Sequence, residues 1–119
     1  AFVTYGYHIV SNGVNVTSSN GLGESFNTAS AQRSAIGIKA DGTVMLMVSS
    51  GRTGSYPGLT VYELADFLIS QGCVTAINLD GGGSTTLWSE ETGVISHPCG
   101  NRLWDHIGER DVPNLIVAY

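Results

Sequence analysis

The run Val74-Thr75-Ala76-Ile77-Asn78-Leu79 passes directly into Asp80-Gly81-Gly82-Gly83-Ser84-Thr85, and no other junction in the chain restricts its fold as much. A short apolar run reads as a strand, and glycines in succession mark where it stops, since a backbone without Cβ atoms is free to turn. Amides bared in such a loop can point inward as a concave nest for an anion such as phosphate. Asp80 stands at the entrance to that nest. A carboxylate beside an anion cradle suits chemistry at a phosphate ester, where one group positions charge and another handles a proton. A tight turn between two strands is the plainer reading of the same residues, Asp and Gly being ordinary turn formers.

The common nucleotide loops do not fit. A Walker loop requires Gly-Lys-Ser/Thr, and a dinucleotide fingerprint requires Gly-x-Gly-x-x-Gly opening a helix. Here Thr86-Leu87-Trp88 follows the glycines, a β-branched and aromatic stretch that predicts a strand rather than a phosphate-binding helix N-terminus.

A chain of 119 residues with 42% hydrophobic and 13% charged residues can bury a core as one domain, residues 1–119. No apolar run approaches the roughly 20 residues that span a membrane. Ten acids against five bases give a formal charge of −5, which argues against a nucleic-acid partner. The bases are Lys39 and four arginines, Arg33, Arg52, Arg102 and Arg110, whose planar forks suit phosphate or carboxylate. Scarce lysine and abundant Ser, Thr, Asn and Gly suggest an exported protein, in which Cys73 and Cys99 would pair as a disulfide. The chain starts at Ala1 without a signal peptide, as a processed or excised segment would, and Asn15-Val16-Thr17 is a glycosylation sequon. His8, His97 and His106 lack metal-ligand spacing, so neither a zinc site nor a cofactor is expected, while an oxygen-ligated calcium near Asp80 stays open.

Alternation predicts a strand over residues 2–10 and a long loop over Ser11–Ser30. Ser34–Lys39 and Thr43–Ser49 around Ala40-Asp41-Gly42 predict a hairpin. Thr60-Val61-Tyr62-Glu63 is a capping box, with Leu64, Phe67 and Leu68 at helical spacing and Gly72 as a stop. Strands over 74–79, 85–89, 94–96 and 112–118 complete an α+β domain, a mostly antiparallel sheet with one main helix packed on it.

Between Gly100 and Val112 lie Asn101, Arg102, Asp105, His106, Glu109, Arg110 and Asp111, together with Leu103, Trp104 and Ile107 that would anchor the segment. A solvated charged loop is the ordinary reading of such a run. The order Arg33-Ser34-Ala35-Ile36-Gly37-Ile38, Asp41-Gly42, Gly51-Arg52, Leu64-Ala65, Asn78-Leu79-Asp80-Gly81-Gly82-Gly83-Ser84 and Gly108-Glu109-Arg110-x-Val112-x-Asn114 resembles the phosphodiester glycosidase family. The resemblance covers about residues 32–119. Residues 1–31 match weakly, as a truncated or divergent part would, with Tyr5-Gly6-Tyr7 in place of the family's glycine-aromatic-aromatic segment.

What the resemblance implies is hydrolysis of a sugar-1-phosphate diester to free sugar and a phosphomonoester, in a protein of the secretory route. Two carboxyl groups commonly serve a glycosyl bond. The matched positions imply Asp80 as base or nucleophile on the sugar side and Glu109 as acid/base or as the orienter of an arginine, with Asp105 as the alternative. Arg33, Gly81, Gly82, Gly83, Ser84, Asn101 and Arg110 would bind phosphate and substrate, assisted by Arg102. Ser84 is not a nucleophile elbow, which needs Gly-x-Ser-x-Gly. The competing class is a non-catalytic exported module on the same scaffold, binding carbohydrate or self-associating.

Overall fold

The structure, a computed structural model, describes residues 6–118. Five strands form one sheet in the order β2-β1-β5-β3-β4, with β1 at Tyr7–Ser11, β2 at Val14–Asn15, β3 at Arg33–Lys39, β4 at Val44–Ser49 and β5 at Cys73–Asn78. Every ladder in it is antiparallel. The expected hairpin is β3–β4, in register from Arg33 opposite Ser49 to Ile38 opposite Val44.

Helix α2, Val61–Ser70, packs on one face of this sheet, and its start follows from local chemistry. Thr60 Oγ1 accepts from the Glu63 amide at 3.1 Å, while Glu63 Oε2 accepts from the Thr60 amide at 2.8 Å. Two amides that no helical carbonyl can reach are thereby satisfied. Val61, Leu64, Ala65 and Leu68 face the sheet and meet Ile9, Val10, Ala35, Cys73 and Ala76 in the core. The opposite face carries Ile36 beside Leu46 and Ile38 beside Val44. Ile38, Leu46 and Val44 on that face are exposed.

Residues 11–30 hold more structure than the long loop expected of them: strand β2, a 3-10 turn at Thr17–Ser19 and the short helix α1 at Glu24–Thr28. Polar residues do the tying. Buried Asn27 donates to the Thr17 carbonyl and Asn20 Oδ1, and Asn15 Nδ2 bonds Tyr62 O and Asp66 Oδ1 on α2. The sequon is thus folded in, with Asn15 engaged and Thr17 buried. The first strand begins at Tyr7, its expected residues 2–5 lying outside the described residues.

The strands expected at 85–89 and 94–96 shrink to the two-residue pair β6, Trp88–Ser89, and β7, Gly93–Val94. The strand expected at 112–118 does not form. Alternation describes a side-chain pattern, whereas a strand needs an edge to bond. Val112, Leu115, Ile116 and Val117 are exposed and pair with neither β2 nor β4, and Pro113 removes a donor. The disulfide is also corrected, since Cys73 and Cys99 are both free and buried. Cys73 belongs to the core beneath α2, while Cys99 lines a cavity next to Gly100, so their sulfurs serve different surroundings.

Candidate active site

Strand β5 ends where β3 and β1 begin, because antiparallel neighbours bring opposite termini to one end of a sheet. Asn78 therefore stands between Tyr7 and Ala35. One step further, the Leu79 amide bonds Ser34 O at 2.8 Å and the Gly82 amide bonds Gln32 O at 2.9 Å. These bonds lash the glycine loop to the start of β3, next to Arg33.

A cavity of about 450 Å³ opens at this end of the sheet, lined by Arg33, Arg52, Arg110, Asp80, Gly81, Gly82, Gly83 and Asn78 and walled by Tyr7, Leu22 and Phe26. Arg33 is only 3% exposed. Its Nε donates to Leu59 O at 3.0 Å, its Nη2 donates to Ala29 O at 2.6 Å, and its charge lies 4.9 Å from the Phe26 ring centroid. Burial, and after it the charge of Arg52, lower the Arg33 pKa. No described carboxylate pairs with this guanidinium, which is thus a fixed, buried positive charge facing the cavity.

The glycines have a steric reason to be glycines. A Cβ built on Gly83 would lie 3.1 Å from Arg110 Nη1, and one built on Gly82 would lie 3.0 Å from Arg52 Nη1. Both guanidiniums thus rest directly on the loop. Gly82 also holds φ +58, a conformation that costs a side-chain-bearing residue about 1–2 kcal/mol. Arg110 Nη2 donates to Ser84 Oγ at 2.7 Å, which fixes one prong of its fork. The nest itself is partly closed by internal bonds, since the Gly81 amide donates to Asp80 Oδ1 at 2.9 Å and the Ser84 amide to Gly81 O at 3.1 Å. Among the amides of Gly81 to Ser84, that of Gly83 alone makes no hydrogen bond within the described residues.

Of the residues the sequence singled out, Arg33, Asp80, Gly81, Gly82, Gly83 and Arg110 share one cavity, and Ser84 touches it through Arg110. Glu109 is exposed and lines neither this cavity nor its neighbour. Asn101 turns away too, its Nδ2 bonding both oxygens of Asp105 at 3.0 Å and its Oδ1 accepting from the Leu103 amide. The structure adds Arg52, Asn78, Tyr7 and Phe26. For Arg52 the signal was present in the Gly51-Arg52 landmark. Tyr7 belongs to the Tyr5-Gly6-Tyr7 segment, and it walls the cavity. Asn78 is 2% exposed and its Oδ1 has no partner, an unsatisfied acceptor at the cavity's edge.

The phosphodiester glycosidase family model matches residues 1–119, the first thirty-one included. The chain belongs to the phosphodiester glycosidase family. Among curated relatives it is similar to the SPbeta prophage-derived uncharacterized protein YomE of Bacillus subtilis, 33% identical over 87 residues, covering 73% of this chain and 13% of that protein. It is similar to human N-acetylglucosamine-1-phosphodiester alpha-N-acetylglucosaminidase, 36% identical over 91 residues, covering 74% of this chain and 17% of that protein. Among solved structures, the auto-inhibited catalytic domain of the zebrafish enzyme of that name matches with a TM-score of 0.65 at 26% identity, over 77% of this chain and 33% of that one. A hypothetical protein from Synechocystis matches at a TM-score of 0.56 and 33% identity, over 66% of this chain and 15% of that one. This phosphodiester glycosidase domain thus spans a minor share of each relative. The α+β architecture described above is the part that matches the zebrafish catalytic domain.

Proposed function

We propose that this phosphodiester glycosidase hydrolyses the bond between a sugar and the phosphate of a diester, on the secretory route. The observation that carries the reading is the convergence of Arg33, Arg52 and Arg110 on one cavity that also holds Asp80. Guanidinium forks match the oxygens of a phosphate, and here three of them face a cavity lined by a single carboxylate. Water adds its oxygen to the anomeric carbon while the bond from that carbon to the phosphate oxygen breaks, its electron pair staying on the phosphate. One proton of water remains on the sugar hydroxyl and the other is released. Asp80 acts on the sugar side as base or nucleophile. The arginines and the Gly83 amide stabilise the departing phosphate, and their charge is in place before the reaction starts. Asn78 lines the same cavity, its amide oxygen buried and without a partner. Glu109 lies outside the cavity and, among the described residues, pairs with no arginine, so its part is limited to its charge near Arg110.

The test compares Asp80→Asn with Glu109→Gln on a sugar-1-phosphate diester. Loss of a positioned proton-transfer group typically costs roughly a hundredfold or more in rate. Asp80→Asn should show that loss with its melting temperature nearly unchanged, and Glu109→Gln a smaller one. An Asp80→Asn protein that turns over normally but melts early would make Asp80 a turn residue and end the catalytic reading.

A further inference from the structure

Beside the cavity just described lies a second one of about 270 Å³, lined by Arg52, Arg102, Arg110, Gly83, Gly100 and Cys99. The two cavities share Arg52, Gly83 and Arg110 as a common wall. Arg33 lines the first cavity alone and Arg102 the second alone. Four of the chain's five basic side chains therefore line two adjoining hollows, in a protein whose formal charge is −5. Asp80 is the one acidic residue on either lining. Among the described residues no carboxylate pairs with any of the four arginines.

Arg52, Arg102 and Arg110 are exposed, so water screens much of their mutual repulsion, yet with buried Arg33 they concentrate positive potential on this face. Two of the four also sit on strained backbone, Arg52 at φ +55 and Arg102 at φ +59, a region that residues other than glycine rarely occupy and that clusters at ligand sites. A single phosphodiester carries one negative charge and fits one cavity. The second cavity adds the fork of Arg102 to those that line the first.

We propose that the second cavity is a subsite for a second phosphoryl group adjoining the first, so that the preferred ligand is a sugar joined to a pyrophosphoryl group. This rests on the phosphate-binding reading above and goes further by naming the leaving group. The shared wall decides adjacency: Arg52 and Arg110 can each bridge both phosphoryl groups, whereas phosphates separated by a sugar or a long alcohol would not meet the same forks. The step balances as before, with the anomeric carbon–oxygen bond broken and the electron pair retained by the pyrophosphoryl oxygen, whose charge spreads over two phosphorus centres.

The experiment measures binding of inorganic phosphate and inorganic pyrophosphate by titration calorimetry, on the wild type, Arg102→Gln and Lys39→Gln. Wild type should prefer pyrophosphate by roughly tenfold or more, the gain one further charge-assisted contact supplies. Arg102→Gln should erase that preference while keeping phosphate affinity, which also shows that the variant is folded. Lys39→Gln removes the same charge from the end of β3 and should leave the preference intact, separating a built subsite from general attraction. Equal affinity for the two anions in wild type, or a preference that survives Arg102→Gln, overturns the subsite. Because binding is read without turnover, a failure of hydrolysis would count against the catalytic role of Asp80 and leave the subsite result standing.

Discussion

Arg110 shows how closely the site depends on single atoms. Its Nη2 donates to Ser84 Oγ and its Nη1 lies over Gly83, so the guanidinium plane is held flat against the loop. Lysine keeps the charge but has one nitrogen where arginine has three. Arg110→Lys should weaken competition by inorganic phosphate and slow turnover, with the fold intact by circular dichroism; unchanged phosphate affinity would remove Arg110 from the clamp. Arg52 differs in that its residue type alone left a phosphate ligand and a solvated surface arginine equally open. Nothing in its chemistry distinguishes it from a solvated arginine, and only the turn at 51–58, closed by the pair Thr53 and Tyr56, swings it over Gly82.

At the scale of elements, helix α2 was legible because its signals are local. The residues of the capping box are three apart, and the structure reproduces both of its hydrogen bonds. Thr60→Ala should cost about 1 kcal/mol, seen as a lowered urea midpoint with unchanged slope; no change would mean that the cap is replaced by water. The hairpin β3–β4 was legible for the same reason. The segment at 112–118 was misread because pairing is a property of two segments, and its own residues say nothing about a vacant edge.

The loop at 101–107 is a second local device. Asp105 is held below its usual carboxylate range first by Asn101 Nδ2, then by the Ile107 amide, with the charges of His106 and His97 adding to the effect. A depressed folded-state pKa means that the charged carboxylate favours the folded loop above its ordinary value of about 3.9, and this contribution fades as the pH falls through the folded-state value. Lowering the pH through that window should move the Ile107 amide resonance in wild type and leave it still in Asp105→Asn. Trp104, stacked at 3.8 Å on His97 and 4.4 Å on Tyr56, keeps this loop against the turn that carries Arg52. The crowding of charge at 100–112 drew attention to a segment whose Arg102 and Arg110 line the two cavities. It did not reveal that Asn101 and Asp105 spend their polarity on each other while the arginines face the cavities.

For the molecule as a whole, the sheet carries a helix on one face and exposed apolar side chains on the other, with Leu46 43% and Val44 57% exposed. Apolar surface in one contiguous patch marks an interaction or aggregation site. Leu46→Lys should therefore lower binding of a hydrophobic dye and shift stability by no more than about 0.5 kcal/mol, as surface substitutions do. A fall in stability matching a core truncation would show that this face is covered in solution. The α+β class could be read from the order of strand and helix signals, whereas the exposed face could not, because Val and Leu alternate alike on covered and open sheets.

Strand β5 has bonded neighbours on both sides, β1 and β3, and Asp80 follows it after a single residue. Backbone amides in a central strand exchange with solvent through the rarest openings of a protein, while edges and termini open often. The carboxylate of the proposed reaction is therefore mounted beside a doubly paired central strand, and Arg110 on a segment outside any strand or helix. Placement of the sugar would then be a fixed quantity of this fold, and the grip on phosphate its adjustable one, open to change by mutation without disturbing the strand that carries the acid.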